Sequence, residues 1–222
     1  AKGEAILGAW EVREINQQIL VWYHPNKEAS SWEPDIIPEA AANHPDWGDM
    51  IIHIGEINTH VQEMGENGVD AAHFLYVHGT DDVPEAAYQT FDGHIREGKF
   101  ITRQPTPRGV VDGAIETKSQ GAGLSMVKFT GIYDTLLLAN VTPIAAEKAR
   151  ASYAFIQPRD TMDTLGKTVG QAIIGNICQQ MSEDQIIWDR KQYFERPLLC
   201  DGDGPFAKFR RWFSQFLVEK TV

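Results

Sequence analysis

Cysteine is scarce in this chain. Cys178 and Cys200 are the two among 222 residues, and neither stands in a CxxC or CxH pattern. Two isolated thiols cannot build a disulfide framework, so a secreted, disulfide-stapled scaffold is excluded and a reducing, cytoplasmic setting is expected. Long apolar runs are missing too. None approaches the roughly 18 residues of a membrane span, and the N-terminus lacks a basic-then-apolar signal, so the chain reads as soluble without a membrane segment. Basic residues are the minority: 20 Lys and Arg face 31 Asp and Glu, for a formal charge of -11 and a pI near 5.0. That balance argues against nucleic acid as a main partner, because phosphate binding needs concentrated Lys and Arg. No Walker loop, GxSxG elbow or HExxH helix is present.

What the chain does have suits one domain with a single core: 42% hydrophobic and 23% charged residues over 222 positions, an ordinary globular composition. Strands are expected at 10–15, 19–23 and 50–57, with a loop between 24 and 47 whose four prolines forbid a long helix. Residues 64–68 read as a turn leading into a short helical segment over 69–78. From 88 to 157 strand follows strand, with turns at 92–93, 105–109, 121–123 and 145–148. A long helix is expected over 162–191, and 206–217 carries five aromatics at helical spacing, a stripe suited to docking on the body of the domain. The implied fold class is α+β: a helix-grip (START-like) twisted antiparallel sheet with a long C-terminal helix packed across it.

Two stretches carry chemistry. In the first, Asp70, His73 and His78 sit among apolar neighbours. Two neutral imidazoles suit a borderline metal, and with one carboxylate they form the facial triad that leaves open positions on iron. The plainer alternative for each histidine is a satisfied core residue. Residues five apart on a regular α-helix diverge by about 140°, so both rings can reach one metal only if the helix is distorted there. In the second stretch, Asp184 shares a helical stripe with Ile177, Met181 and Trp188 and so faces inward; a salt bridge to a buried Arg or Lys is its alternative role. Glu183 and Asp189 fall off that stripe and read as solvated. Asn67 looks like a helix cap that places Asp70 in the first turn, where its carboxylate can accept a hydrogen bond from His73. His24, His44, His53, His60 and His94 have no partner at metal-ligand spacing. Arg190, Lys191, Arg196, Lys208, Arg210 and Arg211 read as a solvated basic face, or as a docking site for an acidic electron-transfer partner.

At Asp70-x-x-His73-x-x-x-x-His78, followed far downstream by Asp184 on a long helix, the sequence resembles the Rieske non-heme iron oxygenases. More narrowly, residues 67–78 and 188–216, including Arg196-Pro197-Leu198-Leu199 and Arg210-Arg211-Trp212-Phe213, resemble the oxygenase components of 3-ketosteroid 9α-hydroxylases and the cholesterol 7-desaturases. The resemblance implies that His73, His78 and Asp184 bind Fe(II), and that Asp70 bridges electrons from a Rieske 2Fe-2S cluster. It also implies an NADH-dependent reductase partner, O2 as cosubstrate, a homotrimer, and a steroid-like substrate that is hydroxylated or desaturated. The Rieske cluster needs Cys-x-His and Cys-x-x-His pairs, and this sequence contains neither. The expectation is therefore that the whole chain is the mononuclear iron domain, with its Rieske domain absent. A lipid-binding helix-grip module without chemistry is the contrasting reading.

Overall fold

The computed structural model describes residues 8–159, 164–200 and 203–218. Its frame is a seven-stranded, wholly antiparallel sheet: β3 (Ile51–Ile57), β4 (Glu85–Asp92), β5 (Ile95–Thr106), β6 (Gly109–Gln120), β7 (Leu124–Thr130), β8 (Thr135–Ala145) and β9 (Lys148–Ile156). Strands β4 to β9 form a meander in chain order, and β3 adds to the β9 edge. Short polar or glycine-containing turns make that arrangement, since consecutive antiparallel strands need only a hairpin. A separate ribbon, β1 (Val12–Ile15) and β2 (Gln18–Val21), precedes the sheet. Its two-residue turn has both Asn16 and Gln17 at positive φ, 53° and 59°, the backbone twist that matches paired strands.

The long helix α3 (Thr164–Trp188) packs across the sheet. Ile174 and Ile177 on its inner stripe meet Leu137 and Phe155, which are cross-strand partners on β8 and β9. The alternate residues Leu136, Leu138, Ala154 and Ile156 point the other way, onto Ala40, Ile37 and Trp47 of the loop before β3. With both faces covered, residues 135–138 form a continuous buried run rather than an alternating one.

A third cluster gathers around the functional end. Residues Val61, Met64 and Val69 pack with Trp188 and with Phe209, Trp212 and Phe213 of α4 (Phe206–Phe213). Here the structure corrects the reading of 64–68 as a turn: residues 61–66 are helix α1 (Val61–Glu66), continued by a 3-10 turn at Asn67–Val69. Gly65 is placed inside that helix because the Phe209 ring lies against it; a Cβ there would sit 2.8 Å from Phe209 Cζ. α1 is capped by His60, whose Nδ1 accepts from the Gln62 N–H at 3.2 Å. The helical segment expected over 69–78 is shorter, α2 (Ala72–Tyr76), and the long helix ends at Trp188 rather than 191, while expected residues 162–163 lie outside the described ones.

Candidate metal centre

His73 lies within α2 and His78 two residues beyond its end. The expected distortion is there: the Val77 N–H bonds to the His73 carbonyl at 2.7 Å, and the His78 N–H reaches the same oxygen at 3.4 Å. That widened last turn swings His78 round until its ring stands 5.1 Å from that of His73, nearly perpendicular at 80°. Phe74 touches both histidines and Phe100 of β5, which seats α2 against the sheet.

Asp184 is buried, 8% exposed, on the stripe with Ile177 and Trp188. Its Oδ1 stands 3.3 Å from His78 Nε2. Among the described residues no arginine or lysine pairs with it, so the salt-bridge alternative does not describe this carboxylate. One ligand-type atom from each of His73, His78 and Asp184 falls within 4.8 Å of the others. Trp188, one turn after Asp184, donates its indole N–H to Asn67 Oδ1 at 3.2 Å, which ties α3 to the turn just before Asp70.

Each imidazole is held through one nitrogen. His73 Nδ1 lies 2.6 Å from the main-chain carbonyl of Asp70, which needs a hydrogen on Nδ1 and leaves Nε2 as an acceptor. This corrects the expectation that the Asp70 carboxylate would take that role. The carboxylate instead caps α2: Oδ1 accepts from the Ala72 and His73 N–H groups at 3.0 and 3.2 Å. Asn67, expected to be the cap, lies at the C-terminal end of α1. Glu183 also departs from the expectation. It is not simply solvated: its Oε2 lies 2.9 Å from His78 Nδ1. Asp189 accepts the Asn58 N–H at 2.7 Å. A helical stripe marks only the residues that face the core, and these two reach sideways from the flank of α3.

Electrostatics follow burial and partners. Desolvation outweighs the favourable Asp184 and Asp70 contacts at His73 and lowers its pKa. At His78 desolvation acts the same way, but hydrogen bonds with Asp184 and Glu183 prevail and raise it. Burial, followed by the charge of Asp184, pushes the nearby Tyr153 phenol upward. Two imidazole nitrogens and one carboxylate oxygen, converging from elements fixed by separate contacts, are a donor set that fits a borderline divalent metal such as iron.

The surroundings are braced by charge. Glu66, 2% exposed, accepts from Arg210 Nε and Lys191 Nζ at 2.6 Å each, and Lys191 Nζ also stands 2.7 Å from the buried Glu63. Lys191 and Arg210 are therefore structural partners and not part of a solvated basic face. Arg96, buried on β5, donates to the Gly68 carbonyl and to Gln89 Oε1; burial lowers its pKa to about 10. Two cavities of about 80 and 20 Å3, between the β1–β2 ribbon and the sheet, include none of the triad residues. Both fall well below the roughly 300 Å3 of a typical ligand pocket.

The family model for the 3-ketosteroid 9α-hydroxylase C-terminal domain matches residues 21–217. A probable 3-ketosteroid-9-alpha-monooxygenase oxygenase component from Rhodococcus rhodochrous is 26% identical over 95% of this chain and 57% of its own length. The cholesterol 7-desaturase of Caenorhabditis elegans is 27% identical over 98% of this chain and 56% of its own. The chain thus spans a little over half the length of these curated relatives. Among solved structures, dicamba monooxygenase bound to dicamba superposes with a TM-score of 0.70 at 14% identity, over 93% of this chain and 69% of that one. Pseudomonas putida CBB5 NdmA with caffeine gives 0.66 at 12%, over 92% and 61%. At such identities these last two establish the fold alone, an α+β arrangement of antiparallel sheet and helices. Because the family model covers nearly the whole of it, the chain belongs to the 3-ketosteroid 9α-hydroxylase C-terminal domain family.

Proposed function

We propose that this chain is the mononuclear iron part of an oxygenase component that oxidises a steroid, with His73, His78 and Asp184 as the iron ligands. The observation that carries this reading is the convergence of two imidazoles and a buried carboxylate within 4.8 Å, drawn from two remote parts of the chain. The Asp184 carboxylate is 8% exposed, and among the described residues no arginine or lysine pairs with it, so it calls for a compensating positive charge that a divalent ion would supply. Ferrous iron bound by His73, His78 and Asp184 would supply the reaction with O2.

The protein's own groups then do three things. The Asp70 carbonyl and Glu183 orient the rings, Phe74 and Phe100 line one side with apolar surface that excludes water, and Asp70, half-buried beside His73, bridges electrons from the 2Fe-2S cluster. That cluster belongs to a Rieske domain outside this chain, in keeping with the share of the relatives that the chain spans and with its lack of Cys-x-His pairs. Electrons come from NADH through a ferredoxin-type reductase, and the working assembly is a cytoplasmic homotrimer. The preferred reaction is 9α-hydroxylation of a 3-ketosteroid; 7-desaturation of cholesterol is the second reading, favoured by the similarity to the nematode desaturase. A non-catalytic lipid carrier leaves the inward-facing triad without a purpose.

Metal analysis after anaerobic Fe(II) loading tests the core of this proposal. One Fe(II) per chain is expected, lost in His73→Ala and in Asp184→Asn; unchanged iron content in both variants overturns it. Product analysis with a 3-ketosteroid and with cholesterol, using the chain joined to its Rieske domain and supplied with reductase, separates hydroxylase from desaturase.

A further inference from the structure

Two consecutive residues of α3 grip the same imidazole from opposite sides. Asp184 Oδ1 stands 3.3 Å from His78 Nε2, while Glu183 Oε2 stands 2.9 Å from Nδ1. Neighbours on a helix point about 100° apart, so both reach one ring only because His78 lies across the flank of the helix. The ring is buried, its side chain 2% exposed, while that of Glu183 is 33% exposed. Glu183 is itself braced: Gln179, one turn earlier, donates to its other oxygen at 3.0 Å.

The two histidines are therefore backed differently. Behind His73 stands a neutral peptide carbonyl; behind His78 stands a carboxylate. A carboxylate accepting Nδ1–H fixes the hydrogen on that nitrogen, aims the Nε2 lone pair toward Asp184, and increases the electron donation of the ring through Nε2. Resting on the assignment of His73, His78 and Asp184 as metal ligands, we propose that Glu183 is a positioning residue that locks the tautomer of His78 and makes it the stronger of the two imidazole donors.

The test is a Co(II) titration of the purified chain, followed by the visible absorption of the bound metal, for wild type, His73→Ala, Glu183→Gln, Glu183→Ala and Gln179→Ala. Glu183→Ala is expected to weaken binding about 10–100-fold, the usual cost of losing such an outer partner. Glu183→Gln keeps an acceptor for Nδ1–H but removes the charge; it should restore part of the affinity with a shifted absorption band. Gln179→Ala, which removes the brace of Glu183 but not its contact with His78, should weaken binding less than Glu183→Ala does. Should both Glu183 variants match wild type in affinity and spectrum while His73→Ala loses the metal, the role of Glu183 is refuted and the metal site stands. Should wild type and His73→Ala bind alike, or wild type not bind at all, the metal site itself is refuted and this role with it.

Discussion

At the scale of single residues, Asp70 has a structural task of its own beside the electron-transfer role proposed for it. Its carboxylate caps α2 through two N–H groups, and an N-cap is worth about 1 kcal/mol. Asp70→Ala should lower the unfolding free energy by about that amount in urea titration, whereas Asp70→Asn, which still caps, should leave stability nearly unchanged. In the complete oxygenase system, Asp70→Asn should nonetheless slow reduction of the iron, as read by stopped-flow absorption, because the negative charge is gone. A drop in stability for Asn as large as for Ala would show that the charge, rather than the cap, holds the turn. The triad residues were legible in the sequence, since histidines five apart in an apolar segment and an inward acid on a long helix are patterns of spacing. The partner of His78 was not: nothing in the order Ser182-Glu183-Asp184 tells that a ring from a remote segment will lie across the helix and meet both acids. Nor does spacing tell whether Asp70 offers His73 its carboxylate or its carbonyl, as both are within reach.

At the scale of elements, the centre depends on how α1, α3 and α4 are clamped together. The Glu66 carboxylate joins the chain just after α3, through Lys191, to α4, through Arg210. Desolvation alone would raise its pKa, but the hydrogen bonds from Arg210 and Lys191 outweigh that and hold it below the ordinary 4.5. The sign follows directly: a depressed carboxylate favours the folded state above its unfolded pKa, and that contribution disappears as pH falls through the lower folded value. Wild type should therefore lose urea stability between about pH 5 and pH 3 more steeply than Glu66→Gln, while Glu66→Gln should be the less stable of the two at pH 7. Equal slopes would remove Glu66 from the account of acid sensitivity. The strands and the long helix follow from turn residues and periodicity, yet α1 reads as a turn because glycines at 65 and 68 mark flexibility in a sequence. In the fold Gly65 instead makes room for the Phe209 ring, a contact across more than half the chain that no local pattern reveals. The same holds for α4, whose aromatic stripe announced a docked helix without saying where. The point of contact is the turn before Asp70, where Gly204 lies so close to the Val69 carbonyl that a Cβ could not be accommodated.

At the scale of the whole molecule, the meander is readable because each strand pairs with its neighbour in sequence, and the pairing of β3 with β9 is not, because its partners, from Ile57↔Ala149 to Ile51↔Phe155, are 92 to 104 positions apart. The distance between the triad's two halves has a thermodynamic side as well. His78 and Glu183, next to Asp184, are 105 positions apart, and the strands β4 to β9 all lie between them. A divalent ion coordinated from both ends would act as a removable crosslink, closing a loop that contains six of the seven strands. Because an ion that binds only the folded state shifts the equilibrium by mass action, at about 100 times its dissociation constant it should raise the melting temperature by about 5–10 °C. Calorimetry with and without a chelator reads that difference, and the same scan on Asp184→Asn should show none. A cell short of that ion would then keep the protein several degrees closer to its melting point.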